Sequence, residues 1–216
     1  MELVSITRAR LTTLIQFQEW DPLGKTLTLE ALAKLGDRYS FAKSPTKLED
    51  LDFQKGIELL EGRFGDVRID KIAIYPNGIV IDTRSSTEDS EKILNDILAL
   101  AHEAFGATIK PVRHSFASHI IFRSTMRLAS LNPVLPKIAG ILTERGSADL
   151  KHPFTFEPTA ILFNVDSSQA KIAPQMFTIE RRAEIPFAEN TYFSSAPLRT
   201  AEHIAIVKTF EESLLG

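Results

Sequence analysis

The chain has 216 residues, 44% of them hydrophobic and 25% charged, the balance of an ordinary folded protein rather than a disordered one, and enough chain for one large domain or two small ones. A net charge of −3 gives no global field to draw in nucleic acid or an anionic membrane. The absence of cysteine excludes disulfides, thiolate metal sites and cysteine nucleophiles; no secretory signal pattern opens the sequence and no 18-residue apolar run is present, so the expectation is a soluble, cytoplasmic protein.

Residues 3–20 are rich in β-branched and apolar side chains and predict one long strand or two short ones. Val4 and Ile6 share one parity while Leu11, Ile15 and Phe17 share the other, which predicts a bulge or break near Thr7 to Ala9. Asp21-Pro22-Leu23-Gly24 reads as a turn. Leu29, Leu32, Ala33 and Leu35 then predict a helix over 28–39 closed by Gly36. A second helix is expected from Thr46, where Glu49 completes a capping box, to about Glu61, with Leu48, Leu51, Ile57 and Leu60 inward.

The most legible stretch runs from Val67 to Gly106. Asn77-Gly78 offers the positive-φ pair of a tight hairpin, with Ile72 and Ile74 alternating before it and Ile79 and Ile81 after it. Ser85-Ser86-Thr87-Glu88 supplies a helix cap with a glutamate three residues on. Ile93, Leu94, Ile97, Leu98, Ala101 and Phe105 then form an apolar stripe, stopped by Gly106.

Residues 109–123 alternate as a strand. Val112, His114, Phe116, Ser118, Ile120 and Phe122 lie on one face, and Arg113, Ser115, Ala117, His119, Ile121 and Arg123 on the other. Asn132-Pro133 starts a helix to Gly146 carrying Val134, Leu135, Ile138 and Ile141. The polar stretch from Gly146 to Pro153 is the one candidate boundary within an otherwise single α+β domain over 1–216. Strands are expected over 159–165 and 175–184. A polar segment from Glu189 to Arg199 leads to a last helix from Thr200 with Ile204, Val207, Phe210 and Leu214 on one face. The implied fold is α+β, an antiparallel sheet of about six strands with helices on one face. It contains two strand-strand-helix units that are either a duplication or two copies of a common motif.

Reactive constellations are scarce. His114 and His119 point to opposite faces of a strand, and no metal-binding spacing exists among the five histidines, so neither metal nor cofactor is expected. No phosphate loop occurs, since Gly62-Arg63-Phe64-Gly65 is too short to count. Asp66, Asp70 and Asp82 around the hairpin read as solvated charges. His114 and Ser118 sit on the apolar parity of their strand and must be hydrogen-bonded in the core or line a cavity. Tyr192 and Arg199, with Asn190, Ser194, Ser195 and His203, crowd a helix start where an anion could bind, although Ser195-Ala196-Pro197 also suits a plain connector. Arg113, His119 and Arg123 share one strand face, and Arg181 and Arg182 sit on another strand near Lys171; if adjacent in the sheet, these strands could present a basic stripe for phosphates, against which Glu180, Glu184 and the acidic total weigh.

The leading expectation is therefore an interaction or assembly protein without catalytic machinery, meeting a protein partner or itself through a strand edge or helix face. The alternative is a small-molecule binder or enzyme whose ligand contacts are His114, Ser118, Arg182, Tyr192 and Arg199, in a pocket between sheet and helices. A nucleic-acid binder using the arginine faces comes third, and no membrane role is expected.

Overall fold

Alternating apolar residues and tight turns build the strands of this chain, and amphipathic stretches build its helices. The computed structural model describes residues 1–15, 29–47, 51–52, 54–107, 109–125, 127–166, 168 and 174–215. In order these form β1 (Glu2–Ile15), α1 (Leu29–Tyr39), β2 (Ile57–Phe64), β3 (Val67–Tyr75), β4 (Gly78–Thr83), α2 (Thr87–Phe105), β5 (Pro111–Arg123), α3 (Val134–Leu150), β6 (Ala160–Phe163), β7 (Phe177–Arg181), β8 (Thr191–Ala196) and α4 (Thr200–Leu215). The class is α+β as expected, but the antiparallel sheet has eight strands rather than six, in the order β2-β3-β4-β1-β5-β8-β7-β6.

The two unexpected strands are β2 and β8. The helix expected from Thr46 to Glu61 is replaced at its C-terminal half by β2, where Ile57 and Leu59 are buried with the period of two that a half-buried strand requires. Gly65-Asp66 is the two-residue turn into β3, with Phe64 opposite Val67 and Gly65 at φ +57. Leu48 and Glu49 lie outside the described residues, as do Phe17, the Asp21–Gly24 turn and Lys171. β8 occupies what reads as a polar connector, because its serines are satisfied by Thr178 of the neighbouring β7: Ser195 meets the Thr178 hydroxyl and Ser194 donates to the Thr178 carbonyl.

Contacts group the chain into two units: an N-terminal unit of Ile6–His119 with Pro197–Ala201, and a C-terminal unit of Met1–Ser5, Ile120–Ala196 and Glu202–Gly216. In the N-terminal unit the pairing register aligns buried rows across the strands. Leu59, Ile72, Ile81 and Leu11 form one row, and Ile57, Ile74, Ile79 and Thr13 the next. β1 is continuous through Thr7 to Ala9, so the expected break is absent; Val4 is exposed, and the change of parity had no packing behind it. The shift of parity occurs instead in β3, where a bulge at Asp70 separates buried Ile69 from buried Ile72.

Helices α1 and α2 add Leu32, Leu35, Tyr39, Ile93, Leu94, Ile97 and Ala101 to the same apolar cluster as these rows. α1 runs through Gly36 instead of ending there. α2 is capped by Ser86, whose hydroxyl accepts from the Asp89 amide at 3.0 Å, one residue later than the expected cap. It ends at Gly106 with φ +66, whose amide reaches the His102 carbonyl at 2.8 Å.

Asp96 on α2 fastens the two helices together. Its carboxylate accepts from the buried Tyr39 hydroxyl at 2.6 Å and from Arg38 Nε at 2.7 Å, with Arg38 Nη2 on the other oxygen. The Arg38 hydrogen bond holds the Asp96 carboxyl below its usual range, against the cost of burial. A depressed carboxyl pKa contributes stability that is present above the unfolded value and lost as pH falls through the folded value. Asp96→Asn is therefore expected to cost roughly 1–3 kcal/mol at neutral pH, with the gap to wild type closing on acidification below the ordinary carboxylate range. Urea unfolding across pH measures it; a gap that does not vary with pH would deny Asp96 this role.

In the C-terminal unit α4 presents a mixed face. Val207 is buried as expected, but its buried companions are His203 and Glu211, while Ile204 and Phe210 are only half-buried. His203 Nε2 meets Ser194 Oγ at 2.8 Å, and that hydroxyl donates to the Thr178 carbonyl at 2.6 Å. Glu211 receives the Met1 ammonium and the Ser124 hydroxyl. Among the described residues no helix is long and apolar enough to cross a membrane.

Candidate functional site

The five residues proposed as ligand contacts divide between the units. In the N-terminal unit, His114 lies on the exposed start of β5, with Nδ1 2.9 Å from Thr13 Oγ1 and its ring 6.4 Å from that of Phe116. Ser118, on the same strand face, is fully buried. Arg199 grips Glu91 through two hydrogen bonds of 2.6 and 2.9 Å, with its guanidinium 4.2 Å over the Phe116 ring. The Arg199 hydrogen bonds hold the Glu91 carboxyl low, with the charges of Arg199 and His114 adding to the effect. Beside this pair, Thr87 and Thr200 exchange bonds: each hydroxyl accepts from the other's amide, at 2.8 and 3.0 Å. Arg199 thus serves as a clamp that fastens Pro197–Ala201 to α2, and its charge is already matched.

In the C-terminal unit Tyr192 is core. It is fully buried, its ring stacks on Phe122 at 5.5 Å, and burial pushes its hydroxyl pKa up. Arg182 is exposed and lines a cavity of about 270 Å³ with Glu180, Arg181, Ala183 and Phe193. Arg181 is held instead by Glu157 at 2.8 Å and the Phe187 carbonyl at 2.9 Å, between the rings of Phe187 and Tyr192, and its side chain is only 6% exposed. A guanidinium so enclosed and neutralised is not available to a phosphate backbone. Arg123 lies 3.9 Å from Glu2. Among the described residues no group of three His, Asp or Glu is placed to hold a metal ion.

The feature with most to offer an outside molecule is one for which the sequence predicted burial. Val134, Leu135, Ile138 and Ile141 were expected to face a core, yet α3 buries no residue: Ile138 is 48% and Ile141 52% exposed, and Val134 and Leu142 are comparably bare. The helix continues past Gly146 to Leu150, and the missing side chain of Gly146 lets the Phe154 and Phe156 rings lie against it; a Cβ there would meet Phe154 at 2.9 Å. Thr143 Oγ1 accepts from the Phe156 amide at 2.9 Å, and Ser147 Oγ exchanges bonds with the Phe154 backbone. One flank of α3 is therefore used by 153–157, and the apolar flank is left open. In the same unit Leu162 and Phe163 of β6 are 58% and 57% exposed. Scattered apolar side chains are normal on a surface; here a helix flank and a strand of the same unit each leave several of them bare.

No family model and no curated protein matches the chain. Among solved structures it is similar to one titled "Methanococcus jannaschii TBP", at 13% identity over 97% of each chain, with a TM-score of 0.46. That likeness is too small to transfer anything to this chain.

Proposed function

We propose that this is an interaction or assembly protein that engages a protein partner, or itself, through the apolar surface of its C-terminal unit. The observation that carries the reading is α3, a helix of 17 residues with six large aliphatic side chains and none buried. A soluble helix gains its stability mainly by burying an apolar face, and α3 has yet to bury one. The repeated element order supports it from a second side. Strand-helix-three strands-helix occurs as β1 to α2 and again as β5 to α4, so the first helices of the two halves, α1 and α3, correspond by position. In the first half, α1 buries Ala31, Leu32, Leu35 and Tyr39; its counterpart by position, α3, keeps the equivalent surface for a partner.

Replacing Ile138 and Ile141 together by glutamate is expected to leave thermal unfolding within about 0.5 kcal/mol of wild type. It should remove the concentration-dependent rise in mass, or the retention of partner proteins, that is expected of the wild-type chain. Light scattering and affinity capture with both proteins measure this. A wild-type chain that stays monomeric at high concentration and retains nothing that the variant loses would end the reading.

A second reading, a small-molecule binder, rests on an open cavity of about 440 Å³ lined by Ala139, Gly140 and Thr143 of α3 and by Arg127, Phe156 and Glu157. This volume is in the range of small-molecule sites.

A further inference from the structure

We propose that β6 is a homodimerisation strand, which pairs antiparallel with β6 of a second copy about a two-fold axis at Leu162. The inference rests on the interaction reading above and names its partner. Among the described residues β6 is a terminal strand of the sheet, and the ladder on its other side defines which groups face the outer edge. Arg181 donates to the Thr159 carbonyl at 2.7 Å, and Ile161 and Phe163 lie opposite Ile179 and Phe177. In an antiparallel pair only alternate residues exchange both backbone bonds. Thr159, Ile161 and Phe163 therefore bond to β7, and the N–H and C=O groups of Ala160 and Leu162 point away from it. The β7–β8 ladder agrees: Arg182 donates to the Thr191 carbonyl at 2.9 Å, which turns Arg182, Glu180 and Thr178 toward β8 and leaves Arg181, Ile179 and Phe177 for β6.

Terminal strands with free backbone groups are hazards that proteins cover, charge or kink unless pairing is their purpose. β2, the other terminal strand in the order, carries such protection. Lys43 and Leu60 exchange bonds of 2.9 and 3.3 Å, Ala42 donates to the Glu61 carbonyl, Glu61 sits at φ +59, and Glu58, Glu61 and Arg63 charge the strand. β6 has none of this among the described residues. Ala160 to Val165 contains no charge, no proline and no glycine, and both faces of the strand are apolar and open, with Leu162 on one and Phe163 on the other. The strand that fits must be uncharged and apolar on both faces, and β6 itself meets that requirement.

Outward-facing residues must meet outward-facing residues, and of the registers two residues apart that meet this condition the one centred on Leu162 overlaps Ala160 to Asn164 completely: Leu162 faces Leu162 of the second copy, and Ala160 faces Asn164. This sets Asp166 opposite Pro158. A slip by one residue would set Asp166 opposite Glu157, two like charges, and would mismatch every backbone group. The selected register forms about six backbone hydrogen bonds across the axis.

The test uses the full chain. Wild type is expected to reach twice the chain mass by sedimentation equilibrium. Leu162→Pro removes an N–H that the β7 ladder does not use, so circular dichroism should stay native while dimer affinity falls at least tenfold. Because the chain has no cysteine, Leu162→Cys should cross-link to itself under oxidised glutathione, whereas Phe163→Cys, which faces Ile161 of the second copy, should not. A cross-link at 163 rather than 162 would overturn the proposal, as would a dimer that Leu162→Pro leaves intact. If the dimer is lost on substituting Ile138 and Ile141 but not Leu162, the strand pairing fails and the interaction reading stands. A monomeric wild type that still retains a partner through α3 separates the two in the same way, and a chain that neither dimerises nor retains a partner ends both.

Discussion

Gly78→Val is expected to lower stability by about 3 kcal/mol or more, and to leave little folded protein at 37 °C if the chain is of ordinary stability. The cause is proximity. A Cβ at position 78 would lie 2.6 Å from the Thr13 carbonyl oxygen, with the Leu14 Cα at 3.7 Å behind it. Gly78 is paired with Leu14 on one side and Tyr75 on the other, and the neighbouring Ile15 amide donates to the Asn77 carbonyl at 3.0 Å, so β1 cannot recede without giving up its ladder with β4. The obstacle is backbone rather than the tip of a flexible side chain, and valine adds two methyl groups to it. Urea unfolding of Gly78→Ala and Gly78→Val should show a graded loss. An unchanged midpoint for both would mean that β1 and β4 are not held at this spacing.

The same glycine shows what the sequence could and could not tell. Asn77-Gly78 marked the hairpin correctly, and Ile72, Ile74, Ile79 and Ile81 are buried on the expected face. The reason assigned to Gly78 was wrong: the turn is Pro76-Asn77, Gly78 is already a strand residue, and its φ lies outside the left-handed region. Positive φ belongs instead to Gly106, at the end of α2. Local signals of this kind are legible because a turn or a cap is made by neighbours in sequence. Register and burial are not, since they depend on what arrives from elsewhere in the chain. Leu51, Ile57 and Leu60 carried a helix-compatible spacing, and only the partner β3 turns 57–64 into a strand. The serines of β8 looked like a connector because their partners, Thr178 and His203, lie 16 residues before and nine residues after Ser194. At the candidate surface the failure was of the opposite sort. The stripe on α3 was read correctly as apolar, but periodicity says which face is apolar and never what covers it.

Ile81→Ala is expected to cost about 2–5 kcal/mol, whereas Val80→Ala next to it should cost about 1 kcal/mol or less. Ile81 is completely buried at the centre of the row that runs from Leu59 through Ile72 to Leu11, beneath the helices whose side chains share its cluster. Removing three carbons there leaves a space that Leu11 and Ile72, fixed by ladders on both sides, cannot move to fill, so a cavity cost adds to the lost transfer energy. Val80 faces the other side of the same strand and is only half-buried, so its truncation opens nothing. The pair of substitutions therefore tests which face of the N-terminal unit is core. Chemical denaturation of both variants measures it, and equal losses would mean that the two faces are packed alike. Most apolar side chains of the N-terminal unit gather in one core with α1 and α2, with Val112 and Leu14 left exposed, whereas α3 of the C-terminal unit buries none of its own; on the reading proposed above, covering those side chains is the gain in meeting a partner.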